Sequence, residues 1–330
     1  MRHHPNWLAV LVAAAAVTAC GGSGSPDVMS SASTSRTHGV MTKTSATTIM
    51  VNGATFDISR ATVLIDHDAA TTAQLRSGMV ARVRGSGDSS RARADEVEVE
   101  NEVRGAVTAV SANTTPQFFN IGDVKVIING STIFDDLSPA TFAAIQVGVF
   151  VEVDGMRDAD GNIVATRVEG KGVRNPNAAD VDELRGVITA VNLGASQFTL
   201  GTVMVSFTPT TTFTPPPRCT AASPAPGLRV EVRGAFTANN AFAATRVDCE
   251  DLEDDEAEAG ENVSIEGFVT NLDATAHTFT INGQLVSFDA SVEFKDGAAA
   301  DLVNNAVVEV EGTMNGTTLV AHKIEFEHRD

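Results

Sequence analysis

The chain has 330 residues, with 42 Asp+Glu against 23 Lys+Arg and a formal net charge of −19. An excess of negative charge this large repels phosphate backbones and excludes nucleic acid as an expected partner. Trp7 is the single tryptophan and tyrosine is absent, so the stacking surfaces on which sugar and base recognition usually rely are missing from the body of the chain. In chain order, the first predicted element is an export signal. Met1-Arg2-His3-His4 is a short basic start, followed by an apolar run from Trp7 to Val17. That run is about half of the roughly 20 residues a membrane-spanning helix needs.

Val17-Thr18-Ala19-Cys20 then resembles the lipobox of bacterial lipoproteins. The resemblance implies removal of residues 1–19, acylation of Cys20, and a membrane held as partner through several acyl chains. Each buried CH₂ contributes about 0.8 kcal/mol, so several chains anchor where one is reversible. Gly21, not Asp, follows the cysteine, which in enterobacterial lipoproteins goes with the outer membrane. The expected location is therefore the cell envelope, as an outer-membrane lipoprotein. Processing would remove Arg2 and leave 22 basic against 42 acidic residues, a net of −20 (22 − 42). Residues 20–36, rich in Gly and Ser, read as a flexible tether; a random coil of that length spans about 22 Å.

The body is written as a fourfold repeat. Gly78-Met79-Val80-Ala81-Arg82-Val83-Arg84-Gly85 recurs as Gly148-Val149-Phe150-Val151-Glu152-Val153-Asp154-Gly155, as Gly227-Leu228-Arg229-Val230-Glu231-Val232-Arg233-Gly234, and as Asn305-Ala306-Val307-Val308-Glu309-Val310-Glu311-Gly312. A period of 70–79 residues (155−85, 234−155, 312−234) means tandem small domains, not a thin solenoid. The expected units are residues 37–102, 103–173, 183–250 and 262–330, with linkers at 174–182 and 251–261.

Each unit follows one plan. A first strand opens on Gly39-Val40, Gly105-Ala106, Gly186-Val187 or Gly267-Phe268. A second alternates with period 2, as in Phe198-Thr199-Leu200 and Phe279-Thr280-Ile281. Asn52-Gly53 and Asn282-Gly283 are hairpin turns, because both residue types tolerate φ > 0. The third strand carries Phe56 and Ile58, Val126 and Ile128, Val205 and Phe207, or Val286 and Phe288. A short helical insert is expected next: Ser138 as N-cap, Pro139 in the first helical position and Ala140 to Ile145 as helix, with Ala298-Ala299-Ala300 in the fourth unit. The third unit has Thr214-Pro215-Pro216-Pro217-Arg218-Cys219 in that slot, which cannot be helical. The repeated motif is the fourth strand, with Val149, Val151 and Val153 turned inward and Phe150, Glu152 and Asp154 outward. The fifth carries Ala94/Val97, Ala165/Val168, Ala244/Val247 and Ala321/Ile324. A spacing of three cannot hold one face of a regular strand, which predicts a β-bulge.

With Cys20 lipidated, Cys219 and Cys249 are left as a disulfide in an oxidising compartment. Five strands with a helix between the third and fourth is the element order of an OB-fold. The expected fold is all-β with short helical inserts, four tandem five-stranded OB-like barrels. Barrels this small have no interior room for a ligand, so a site must lie on the surface or between units. The opening Gly-x-Val/Ile, the Gly-x-x-Val-Glu-Val-x-Gly strand (Gly148–Gly155, Gly227–Gly234) and the Ala-x-x-Val/Ile ending resemble the bacterial envelope family called domain of unknown function 5666. That resemblance implies exported tandem β-modules and carries over no catalytic residues.

Candidate chemistry is sparse. Asp158-Ala159-Asp160-Gly161-Asn162 resembles the first half of a calcium loop through Asp158, Asp160 and Asn162. It lacks the distal glutamate, and the same residues suit a tight turn between the fourth and fifth strands. The acidic run Glu250–Glu258 reads as a solvated linker that could collect Ca²⁺ loosely. His67, between Asp66 and Asp68, reads as a cap. His322 and His328 lie about 20 Å apart along a continuous strand. No nucleophile–base set, phosphate loop or cofactor motif is present. Outward charges of the fourth strand alternate by unit (Arg82/Arg84, Glu152/Asp154, Arg229/Arg233, Glu309/Glu311), which reads either as accident or as pairing between neighbouring units. The functional expectation is a non-enzymatic, lipid-anchored spacer or binding module, with an envelope protein or polysaccharide as partner. A Ca²⁺-dependent surface module is the alternative, and a cryptic enzyme the third reading.

Overall fold

A computed structural model describes residues 34–88, 91–173, 181–214, 219–238, 240–249 and 259–327. The expected signal segment 1–19, Cys20, nearly all of the expected tether, most of the expected 174–182 linker, Pro215–Arg218, residues 250–258 and His328 lie outside these. Strand accounts for 61% of the fold, in four repeats, and there is no α-helix among the described residues.

The first strands are Thr34–Lys43, Val103–Ser111 and Asp182–Asn192; in the fourth repeat the strand breaks at Val269 into Asn262–Phe268 and Thr270–Asp273. Each is followed by a hairpin of second and third strands, such as Gln117–Ile121 with Val124–Ile128. The fourth and fifth form a longer hairpin, such as Val149–Arg157 with Ile163–Val173. In the second repeat hydrogen bonding runs first–second–third–fifth–fourth and back to the first, with the third and fifth strands parallel. The first and third repeats close in the same order.

Alternation along these strands fills each ring. Val151 and Val153, Val230 and Val232, and Val308 and Val310 are fully buried, as are Phe56, Phe119, Phe198 and Phe279. Burying one such side chain contributes about 1.5–3 kcal/mol. The interiors of the second and third repeats merge into one apolar cluster, whereas those of the first and fourth stand alone.

The expected bulge is present in all four repeats, directly opposite the motif's closing glycine. Asp154 pairs with Arg167 but Gly155 with Ala165, so Thr166 is the extra residue. Asp95, Thr245 and His322 take its place in the other repeats. The extra residue lets both members of Ala-x-x-Val face inward, and it drives a backbone carbonyl toward the glycine. A Cβ on Gly85, Gly155, Gly234 or Gly312 would sit 2.3, 2.6, 2.0 or 2.2 Å from that carbonyl oxygen. Only glycine fits there.

The helical inserts are a correction. Where Ala140–Ile145 was expected to be helix there is a single 3₁₀ turn, Phe142–Ala144, preceded by Thr141 and not capped by Ser138. Ala299–Asp301 is the equivalent turn in the fourth repeat. Six residues are too few to offset helix nucleation. The slot instead holds a short sixth strand (Thr62–Ile65, Ile133–Asp135, Thr212–Thr214, Glu293–Lys295) parallel to the far half of the fifth.

Repeats associate through their first strands. That of the first repeat pairs in parallel with that of the fourth, Ser35↔Asn262 to His38↔Ile265. The second and third pair antiparallel at Glu183↔Arg104 and Leu184↔Val103. The result is one 14-stranded and one 12-stranded sheet, the outermost repeats in sequence sharing the first and the middle two the second.

Candidate functional site: a buried charge network and the cavity beside it

The first, fourth and fifth strands lie side by side, so the outward residues of the motif stand in rows. These rows are His38–Arg82–Glu98, Arg104–Glu152–Glu169, Arg185–Glu231–Asp248 and Glu266–Glu309–Glu325. The outer faces are packed against other repeats. Glu98, Glu152, Asp154, Arg167, Glu183, Arg185, Glu231 and Glu309 are all buried, and so is Phe150, under the Arg104 guanidinium 5.5 Å from its ring centre.

Buried charges need partners, and most of the linking is done by the first strand. Arg185 of the third repeat bonds Glu231 at 2.6 Å, reaches Glu100 at 3.4 Å and Asp66 of the first repeat at 4.0 Å, and donates to the Asn101 carbonyl at 2.9 Å. Arg104 of the second repeat spans Glu152 and Glu183, at 4.0 and 3.5 Å. Arg229 and Arg157 meet on Glu102 at 3.4 and 2.8 Å. Arg36 holds Glu261 at 3.1 Å, tying the first repeat to the fourth. Motif residues themselves mostly pair within their own repeat: Arg82 with Glu98 and Glu100, Arg84 with Glu96, Glu152 with Lys171 and Glu311 with Lys323. Arg229 and Arg233 do cross, the latter donating to the Asp66 carbonyl at 3.1 Å.

His67 is a second correction. It caps no helix; it sits with Asp66 at φ +64° and +51° in the turn between Thr62–Ile65 and Asp68–Ala70. Its ring enters the network, Nδ1 3.1 Å from Glu98, Nε2 3.4 Å from Glu100 and 3.9 Å from Glu231. The Glu98 hydrogen bond, outweighing burial, raises His67 to about 9. Burial pushes Glu100 up, but Arg185, Arg82 and Arg229 outweigh it and hold it below the usual carboxylate range. Donor atoms of His67, Glu98 and Glu100 lie within 4.8 Å of one another, a spacing one metal ion could use. The raised pKa favours the protonated ring, whose Nδ1 faces Glu98 and Nε2 faces Glu100, and a protonated ring does not ligate a metal. Burial, with Asp66 and Glu231 adding to it, raises Glu183 to about 7, and burial together with Glu152 pushes Asp154 well up.

Beside the network lie two adjoining cavities of about 630 and 430 Å³. The larger is lined from all four repeats, including Arg82, Lys125, Arg185 and Asn271. The smaller lies between the first, third and fourth, with His38, Arg82, Arg229 and Leu285 in its wall. His38, Arg82 and Arg229 border both. Burial, then Arg82 and Arg229, lowers His38 to about 3.

A model of the family described as a domain of unknown function (DUF5666) matches residues 38–98, 104–169, 185–248 and 266–325. The chain belongs to this family. None of the curated proteins matches it. Each DUF5666 segment runs from the first strand to the fifth, so the family pattern covers both the bulge and the row of outward charges.

Within these DUF5666 repeats the residues singled out by sequence are scattered. Cys219 and Cys249 join in a disulfide with Cα atoms 5.6 Å apart, in the third repeat. Asp158, Asp160 and Asn162 form the turn between the fourth and fifth strands. Both Asp158 oxygens are taken, Oδ1 by the amides of Asp160 and Asn162 at 3.0 and 2.8 Å and Oδ2 by the Asn162 side chain at 2.8 Å. The turn docks onto the fourth repeat, where Ala159 N–H donates to Asn305 at 2.7 Å. Sequence reasoning passed over His38, Arg104, Arg185 and Glu183. Their one signal was charge on the first strand at the parity opposite its apolar core residues, in rows with the motif charges already noted.

Proposed function

We propose that this DUF5666 protein is a lipid-anchored, non-enzymatic binding module of the cell envelope, in which four OB-like five-stranded barrels form one rigid head on the Cys20 tether. The ring order of the strands, with the third parallel to the fifth, supports the barrel reading. Rigidity follows from strand pairing between repeats and from buried ion pairs, which hold geometry even where they add little net stability. The ligand place is the crevice between barrels, since the barrel interiors are filled by Val, Ile and Phe side chains. That crevice, bordered by residues from different repeats, is the observation that carries the proposal. It lies where binding pockets commonly occur, at the junction of domains.

Purification of the chain from its own membranes followed by native mass spectrometry tests this. The expected result is the diacylated or triacylated mass plus a bound low-mass species released on unfolding, with Cys20→Ser moving the protein to the soluble fraction. A bare acylated mass, with no change in melting when envelope extract is added, would reduce the role to that of a spacer. Retention of Cys20→Ser in the membrane would remove the lipid anchor.

A further inference from the structure

We infer that the 430 Å³ cavity between the first, third and fourth repeats is a site for a small uncharged amphiphile, a hydroxyl group carrying a short hydrocarbon body. This rests on the binding-module reading and names its ligand class. Charge in the wall is already matched. Arg36 holds Glu261 at 3.1 Å, Arg82 holds Glu100 at 2.9 Å, Arg84 holds Glu96 at 3.3 Å and Arg229 holds Glu102 at 3.4 Å. Glu98 faces His67 at 3.1 Å. A charged ligand would have to break one of these pairs or enter without a counter-ion, and a charge stranded away from water is costly.

The polar group left over is His38. In the rows of outward residues it occupies the place of Arg104, Arg185 and Glu266. Those three are tied down: Arg104 pairs with Glu183, Arg185 with Glu231, and Glu266 accepts from the Val40 N–H at 3.1 Å. His38 borders the cavity, and its backbone carbonyl accepts from Asn52 at 3.1 Å, but among the described residues neither ring nitrogen has a hydrogen-bond partner. Burial, then the positive charges of Arg82 and Arg229, lowers it to about 3. The ring is therefore neutral at physiological pH and offers one N–H donor and one bare nitrogen as acceptor. A hydroxyl can partner either.

The hydrocarbon half is specified by the rest of the wall. Val187 of the third repeat lines the cavity together with Val263, Leu285 and Met314 of the fourth. Leu285 is 41% exposed, on the strand face opposite the core residue Val286. Covering these side chains removes apolar surface from water, which drives binding, and the volume falls in the range of small-molecule sites. A sugar would leave Leu285 and Val187 in water, and an alkane would leave His38 without a partner. An aliphatic alcohol satisfies both.

Isothermal titration of the chain lacking residues 1–19 with 1-octanol, octanoate and octylammonium tests the assignment. The expectation is one octanol per chain, bound at least about tenfold more tightly than either ion, roughly 1.4 kcal/mol. Leu285→Glu places a carboxylate at an exposed position outside the core and should weaken octanol by at least about tenfold. His38→Leu keeps an apolar side chain but removes the ring nitrogens, and should weaken octanol about fivefold, the worth of one hydrogen bond. His38→Gln restores a donor and an acceptor and should recover most of that loss. Melting curves of the three variants are recorded alongside. Either ion binding as tightly as octanol would overturn the uncharged class. Octanol weakened by Leu285→Glu but unchanged in His38→Leu would overturn the hydroxyl contact, and octanol unchanged in both would overturn the site. If none of the three probes binds at millimolar concentration while envelope extract still raises the melting temperature, the site falls and the binding-module reading stands. If the extract has no effect either, both fall.

Discussion

Arg185→Met should loosen the whole assembly. The Arg185 side chain is 1% exposed and touches groups from three places: Glu231 of its own repeat, Glu100 and Asn101 at the junction of the first two, and Asp66 in the first-repeat turn. Breaking a buried ion pair by deleting one member costs about 3–5 kcal/mol, because the other member is left as a buried charge. Two of the orphaned groups keep other cations, Glu231 with Arg233 at 2.5 Å and Glu100 with Arg82 at 2.9 Å. The low end of that range, about 3 kcal/mol, is therefore expected. For a folded body of this size that corresponds to roughly 6 °C in melting temperature. The control is Arg84→Met, whose pair with Glu96 is exposed (45% and 34%) and should change stability by less than about 1 kcal/mol. Both variants are measured by differential scanning calorimetry against the wild type. If Arg185→Met melts within about 1 °C of Arg84→Met, the network contributes nothing that surface pairs do not, and the reasoning fails.

Gly234→Ala should be poorly folded, since its Cβ would lie 2.0 Å from the Ala243 carbonyl oxygen, while Gly194→Ala, with only a contact at 3.6 Å, should express and melt normally; circular dichroism melts of the pair decide it. Reducing the Cys219–Cys249 bond, which closes a separation of 30 residues, should lower stability by about 3.5 kcal/mol, read as a shift in urea midpoint with and without dithiothreitol. Glu183 is raised to about 7 in the folded state, above its unfolded value, so its contribution is fully present below about pH 4.5 and is lost as pH rises through 7. Glu183→Gln removes that dependence. Relative to wild type the variant should gain on the order of 3 kcal/mol between pH 4 and pH 8, measured by urea unfolding at each pH.

The β-bulge could be read from sequence because Ala-x-x-Val breaks a period of two, and a broken period has few structural solutions. The inward valines could be read for the complementary reason, an intact period of two. Helical inserts were misjudged because Ala-rich hexapeptides satisfy helix propensity without enough length to nucleate, and because Phe134, Phe213 and Phe294 already form a short parallel strand against the fifth. The charge network was hidden for a different reason. A buried salt-bridged Arg185 and a solvated arginine are the same letter at the same parity, and only the docking of a second repeat tells them apart. His67 was misread because its neighbours Asp66 and Asp68 explain it locally as a turn, while its partners Glu98, Glu100 and Glu231 come from the fifth strand, the repeat junction and another repeat.

Small-angle X-ray scattering on the chain lacking residues 1–19 tests the central claim most directly: that the outward rows of the four repeats lock them into one body. A single compact body of about 300 residues has a radius of gyration near 19 Å. The protein should give a value close to this, with one maximum in the distance distribution. The value should hold at 1 M salt, since buried pairs are screened far less than surface ones. A radius above about 28 Å, or a distribution with several maxima, would mean four beads on a string and would contradict the account.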